Sequence, residues 1–213
     1  MKPALTLADF QPLAAKLAAD LAAAYDEITA LDATLGDGDL GVTCRLGMQA
    51  VIGSPGEAAG SLADALLKAG MAFNSAGAST FGALVATAAM RAAKVAQDGA
   101  LAEWDLPAIV AAGEAAIAGL QQRGGAQQGD KTLLDALIPA VAALQAARER
   151  GASLGEAFAE AAVAAQAGAE STTPLQGKFG RSAWFQERSI GVQDAGATVA
   201  AVVVRAVAEY VRS

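Results

Sequence analysis

Leu133, Leu134, Leu137, Ile138, Val141 and Leu144 are spaced so that all six share one face of an α-helix, where a strand would scatter them over both faces. The same rhythm in Phe10, Leu13, Leu17, Leu21, Ile28 and Leu31 predicts a first amphipathic helix of about 25 residues, stopping at the glycines between 36 and 41. The run Val202-Val203-Val204 has strand propensity, but an isolated strand would have nothing to pair with, so it reads as helix. Aromatic residues are only 5% of the chain and alanine supplies much of its 54% hydrophobic content, which favours closely packed helices over sheets.

Local signals mark where the other helices begin. A second helix is expected over 42–52. Ser54-Pro55-Gly56-Glu57 has the form of a capping box with proline in the first turn, and would open a third helix ending near Asn74. A fourth is expected from the turn at 75–80 to about Gln97, and Pro107 opens a fifth, ending near Gln122. After a loop at 124–130 comes the stripe around Leu137, despite Pro139. Ser153-Leu154-Gly155-Glu156 is a second capping box, and Asp194 caps the last helix. Residues 171–193 have no period and hold Gly177, Gly180 and Gly191 with Trp184 and Phe185; a loop this long is usually functional or disordered. The chain therefore reads as one all-α domain over 1–213, a bundle or barrel of eight antiparallel helices. In an up-and-down bundle, alternate helix starts fall at one end, and the small-residue turns fall there too.

Composition removes whole classes of chemistry. The chain has no histidine, which excludes histidine acid–base catalysis, histidine metal ligands and phosphohistidine relay. A single cysteine, Cys44, excludes an internal disulfide or a cysteine zinc site and suits a reduced cytoplasm. Fifteen basic against 22 acidic residues, a net charge of −7, make nucleic-acid binding an unfavourable reading. The charge-free stretch between Lys68 and Arg91 is interrupted by Asn74, Ser75, Ser79 and Thr80, so no membrane span is expected, and no signal peptide precedes Asp9.

The densest chemical signal is Asp32-Ala33-Thr34-Leu35-Gly36-Asp37-Gly38-Asp39-Leu40-Gly41. Carboxylates alternating with glycine can be turned toward one another, and like charges held close favour a cation between them. Oxygen ligands without His or Cys suit Mg²⁺ or Ca²⁺. The spacing fails the EF-hand pattern, because Gly41 and Met48 stand where oxygen ligands are required. Gly36, Gly38 and Gly41 also match the dinucleotide-binding glycine pattern, but after a helix instead of a strand. Gly129-Asp130-Lys131-Thr132 misses the P-loop by one residue; what remains is a glycine-rich loop at a helix start. Arg181 and Arg188 in the long loop are candidate phosphate clamps.

Three segments in order resemble one family. Gly36-Asp37-Gly38-Asp39-x-Gly41, Gly129-Asp130-Lys131-Thr132-Leu133-Leu134-Asp135-Ala136-Leu137 and Gly180-Arg181-Ser182-Ala183…Glu187-Arg188-Ser189…Asp194-Ala195-Gly196-Ala197 are similar to the nucleotide-binding L subunit, or L domain, of the dihydroxyacetone kinases. The resemblance runs from about Asp9 to the C-terminus and implies a barrel of eight antiparallel helices with the ligand in the loops at one end. It implies that Asp32, Asp37 and Asp39 are catalytic and bind two Mg²⁺ at the nucleotide phosphates. Leu40, Gly41, Val42 and Thr43 would approach the nucleotide from one helix start, and Ala78 and Ser79 from another. Gly124 and Leu133 would border adenine, Arg181 would meet phosphate or ribose, and Asp194, Ala195 and Gly196 would close the site. The chain departs from the family in having Leu40 for a common His, Ala76-Gly77-Ala78-Ser79-Thr80 for a Gly-Gly-Ser-Ser-Gly type loop, Leu133 for a Met, and Ala195 for a Pro. None of these changes removes a candidate metal ligand.

The implied reaction is phosphoryl transfer from ATP, or from ADP held as a cofactor and rephosphorylated by a phosphotransferase-system subunit, to a short ketose. The family anchors its ketose through a histidine, so that function would fall to a separate ketose-binding subunit. The alternative is a non-catalytic regulatory or interaction protein with the same helices.

Overall fold

A computed structural model of the chain describes residues 2–54 and 59–213. Their helices are α1 (Phe10–Ala23), α2 (Tyr25–Leu35), α3 (Leu40–Gly53), α4 (Leu62–Ala76), α5 (Thr80–Asp98), α6 (Leu106–Gly124), α7 (Leu134–Glu149), α8 (Leu154–Ser171) and α9 (Ala195–Arg212), with 3₁₀ turns at Leu7–Asp9 and Arg181–Ser189. The expected first helix is present but bends at Ala24, whose φ of −90° and ψ of 5° leave the helical range. Hydrogen bonds from Ala24 N to Asp20 O and from Ile28 N to Ala24 O carry the ladder across the bend, so α1 and α2 act as one bent stave.

The helix starts follow the caps. Ser79 Oγ accepts from Gly82 N, Asp105 from Ala108 N with Pro107 in the first turn, and Asp194 from Ala197 N. Ser153 and Glu156 form the reciprocal capping box. The box expected at 54–57 lies mostly outside the described residues; Ser54 follows α3, and α4 starts at Leu62 with Ser61 as its cap. The 202–204 segment is helical. Two short strands not foreseen in the sequence, β1 (Leu5–Thr6) and β2 (Glu103–Trp104), pair antiparallel.

Each stave packs against the next around a closed ring: the α1/α2 stave beside α3, then α4, α5, α6, α7, α8 and α9, which returns to α1 and α2. Small residues allow the closest approaches. A Cβ at Gly168 of α8 would overlap the Asp135 carbonyl oxygen and come within 3.0 Å of Ala136 Cα, so α7 and α8 meet backbone to backbone. Ala136, Ala147, Ala157, Ala161, Ala165 and Ala169 fill that seam and are fully buried. Leu17, Cys44, Met48, Phe73, Val85 and Val203 face inward from other staves and line an apolar cavity of about 370 Å³. Cys44 is unpaired and buried, and burial pushes its thiol up to about 12. No helix among the described residues is long and apolar enough to cross a membrane.

Alternation of the staves brings the starts of α3, α5, α7 and α9 to one end, together with the last turns of α2, α4, α6 and α8.

Candidate functional site

Asp32 lies in the last turn of α2, Asp37 in the loop that follows, and Asp39 at the cap of α3. One oxygen from each lies within 4.8 Å of the other two. The intervening backbone permits this convergence. Gly38 adopts a φ of +75°, and a Cβ on Gly36 would overlap Asp32 Oδ1. Leu40 N donates to Asp32 Oδ2 at 3.0 Å, which fixes that carboxylate on the α3 start. Arg181, from the 3₁₀ turn, forms an ion pair with Asp37 Oδ1 and stands 3.6 Å from Asp39 Oδ1. An all-carboxylate set of this size, already drawing a positive charge, fits a hard divalent cation.

The neighbouring candidates connect to this corner through close contacts. A Cβ at Gly77 would meet Thr43 Cγ2 at 3.1 Å, so the turn carrying Ala78 and Ser79 abuts the first turn of α3. A Cβ at Gly196 would meet Leu133 at 3.7 Å, which joins the start of α9 to that of α7. Leu133 and Gly196 both line the apolar cavity. Gly124 ends α6 and is exposed; the following Gly125, at φ +75°, lies against Phe179.

The starts of α3, α5 and α7 differ in what they can offer an anion. In α3 the Leu40 amide is taken by Asp32 and the Thr43 amide by Asp39 O, leaving Gly41 and Val42 amides without a partner among the described residues. In α5, Gly82 and Ala83 bond to Ser79, leaving the Thr80 and Phe81 amides open among the described residues. Open amides at a helix start attract negative charge. The α7 start is closed. Thr132 Oγ1 accepts from Leu134 N, Thr132 O accepts from Asp135 N, and Leu133 O accepts from Ala136 N and Leu137 N. Leu133 itself contributes an apolar surface, and its own amide, just ahead of the first turn, has no partner among the described residues.

The glycine-rich loop before α7 has a different job from a P-loop. Lys131, at a φ of +62°, is 1% exposed and points inward. Its Nζ donates to Thr172 O at 2.7 Å and to Val192 O. Burial pushes the Lys131 ammonium down, and Asp194 and Asp135 pull it back up. Asp135 accepts from Gly129 N and Thr132 N, and Asp130 pairs with Lys178 at 2.8 Å, which holds the Asp130 carboxyl low. Asp194 N donates to Thr172 Oγ1, and Asp194 Oδ1 accepts from Ala197 N at 2.7 Å. Burial pushes the Asp194 carboxyl up to about 6, against the pull of the Ala197 amide and Lys131. Lys131 and Thr172 thus fix the chain leading into Asp194, while Asp135 and the Asp130–Lys178 pair hold the loop before α7. Sequence reasoning noted the Lys131 motif but not this role, because its partners lie 41 and 61 residues away. Arg188 is stacked over Phe185, 5.6 Å from the ring centre, not turned to the carboxylates.

The chain is similar to several known proteins. A family model described as the DAK2 domain matches residues 34–209. The triokinase/FMN cyclase of Rattus norvegicus is 33% identical over 190 residues, covering 88% of this chain and 32% of that protein. The ADP-binding subunit DhaL of the PEP-dependent dihydroxyacetone kinase of Escherichia coli is 33% identical over 172 residues, covering 80% of this chain and 81% of the subunit. The crystal structure of the dihydroxyacetone kinase from C. freundii in complex with AMP-PNP and Mg²⁺ has a TM-score of 0.74 at 26% identity, covering 99% of this chain and 35% of that one. The chain spans about a third of the length of the triokinase relatives it matches. Because the family match extends over most of the barrel and takes in Asp37, Asp39, Arg181 and Asp194, the chain belongs to the DAK2 domain family, among the L subunits and L domains of dihydroxyacetone kinases.

Proposed function

We propose that the chain is the nucleotide-binding, phosphoryl-transferring subunit of a dihydroxyacetone-type kinase, acting on a short ketose held by a separate subunit. The observation that carries the reading is the convergence of Asp32, Asp37 and Asp39 beside helix starts with open amides. The relatives support it: one is named as an ADP-binding subunit, a solved neighbour holds AMP-PNP and Mg²⁺, and others are named as erythrulose kinases.

In this reading the three aspartates hold two Mg²⁺. When bound, the metal would neutralise phosphate charge and polarise the transferring phosphoryl group, the chemistry this reaction most requires. Gly41 and Val42 in α3, with Ala78 and Ser79 at the start of α5, receive the phosphate oxygens; Leu40 and Thr43 shape that helix turn. Leu133 presents an apolar face to adenine, with Gly124 at its edge and Asp194, Ala195 and Gly196 closing the other side. Arg181 supplies a planar cation for phosphate. The phosphate source is ATP, or ADP kept in place and recharged by a phosphotransferase-system subunit. The name of the E. coli relative favours the second source. The reaction belongs in the cytoplasm.

The test is transfer of labelled phosphate to dihydroxyacetone or erythrulose, by this chain mixed with a ketose-binding subunit. Transfer that needs both chains and is lost in Asp37→Asn supports the reading. Absence of both nucleotide binding and transfer to any ketose would favour the regulatory alternative.

A further inference from the structure

The carboxylate cluster carries its own counter-ion. Arg181 is paired with Asp37 and lies 3.6 Å from Asp39, although it comes from a segment far along the chain. Two backbone features put it there. Gly180, at φ +63° and ψ −153°, turns the chain in a way closed to other residues, and Gln186, at φ 48°, breaks the 3₁₀ path six residues later. Between these points lies Trp184, 80% exposed.

We propose that Arg181 is a resident counter-ion that holds the cation position in the free protein, and that a divalent cation must displace it, shifting the Arg181–Ser189 segment. The inference rests on the reading of Asp32, Asp37 and Asp39 as a metal site. A guanidinium and a divalent ion compete for the lone pairs of Asp37 Oδ1, and at this range their like charges repel. Cation binding and the Arg181–Asp37 pair therefore oppose one another. A nucleotide changes the balance, because its phosphates give the released guanidinium a new partner through charge-assisted hydrogen bonds. The cation alone is held back by Arg181, and the cation with nucleotide is not. Metal and nucleotide thereby become coupled through one side chain, and the same displacement moves Trp184 at the site's edge.

The pair is partly exposed, with side-chain exposures of 46% for Arg181 and 42% for Asp37, so the competition is moderate. Mn²⁺ binding to the whole chain, followed by electron paramagnetic resonance, reads it directly. Arg181→Gln is expected to bind Mn²⁺ alone about three- to tenfold more tightly than wild type, with ADP strengthening Mn²⁺ binding less than it does in wild type. A second readout avoids dependence on that variant. In a Trp104→Phe background, which removes a buried indole nitrogen that has no partner among the described residues, Mg²⁺ is expected to give a saturable change in Trp184 emission that Asp37→Asn abolishes. Equal Mn²⁺ affinity in wild type and Arg181→Gln, with binding lost in Asp37→Asn, would overturn the counter-ion role while leaving the metal site intact. A Trp184 signal indifferent to saturating Mg²⁺ would overturn the segment movement. Absence of Mn²⁺ binding in every variant, with or without ADP, would remove the metal site and this inference with it.

Discussion

Asp194→Asn isolates the strain of holding a carboxylate behind the site. Asp194 caps α9 through Ala197 N, and burial pushes its carboxyl up to about 6, against an ordinary value near 3.9. A raised value means that the folded state holds the proton more tightly than the unfolded state. The contribution to stability is therefore fully present below about pH 3.9 and is lost as pH rises through 6. At pH 5 the folded carboxyl is about ten parts protonated to one ionised, whereas the unfolded one is mostly ionised, so the residual contribution is about 1.4 kcal/mol; at pH 8 it is gone. Asparagine caps a helix as well as aspartate and carries no charge at any pH. The stability of Asp194→Asn relative to wild type should thus be about 1.4 kcal/mol more favourable at pH 8 than at pH 5. Other carboxylates, such as Asp130, shift the opposite way, but they are common to both proteins and cancel in the difference. Urea denaturation of the two proteins at the two pH values measures it. A difference that stays the same within a few tenths of a kcal/mol would refute the idea that Asp194 is held charged at a cost.

Lys131→Met keeps the buried stem but strips the Thr172 and Val192 carbonyls of their donor, and should cost about 2–4 kcal/mol in urea unfolding. A loss below about 1 kcal/mol would mean that the clamp is not needed. Gly168→Ala forces a methyl group onto the Asp135 carbonyl at the α7–α8 seam. It should lower stability by roughly 2–3 kcal/mol, since backbone on both sides cannot move aside cheaply; an unchanged thermal midpoint would contradict the close packing.

Much of the fold was readable because its signals are local. Apolar spacing gave the staves, and Ser79, Asp105, Ser153 and Asp194 cap helices by bonding residues three positions along. The convergence of Asp32, Asp37 and Asp39 was readable for the same reason, as eight residues with two intervening glycines leave few other arrangements. What escaped the sequence depends on distant partners. The bend at Ala24 has no glycine or proline beside it, and comes where one stave must follow both α3 and α9. The β1–β2 pair joins two-residue segments almost a hundred positions apart, too short to show alternation. Ser54-Pro55-Gly56-Glu57 looked like the start of the third helix, but Ser61 with Asp64 opens α4. Arg181 was legible as a cation near the site, but its partners Asp37 and Asp39 were not, because Gly180 and Gln186 set its direction.

The central claim is that three aspartates at one end of the barrel hold a metal-bound nucleotide. Calorimetric titration of dialysed protein with ADP, with and without Mg²⁺, tests it most directly, with Asp37→Asn as control. Binding that requires Mg²⁺ and disappears in the variant is the predicted result. Magnesium-independent binding, equal in wild type and Asp37→Asn, would contradict the account.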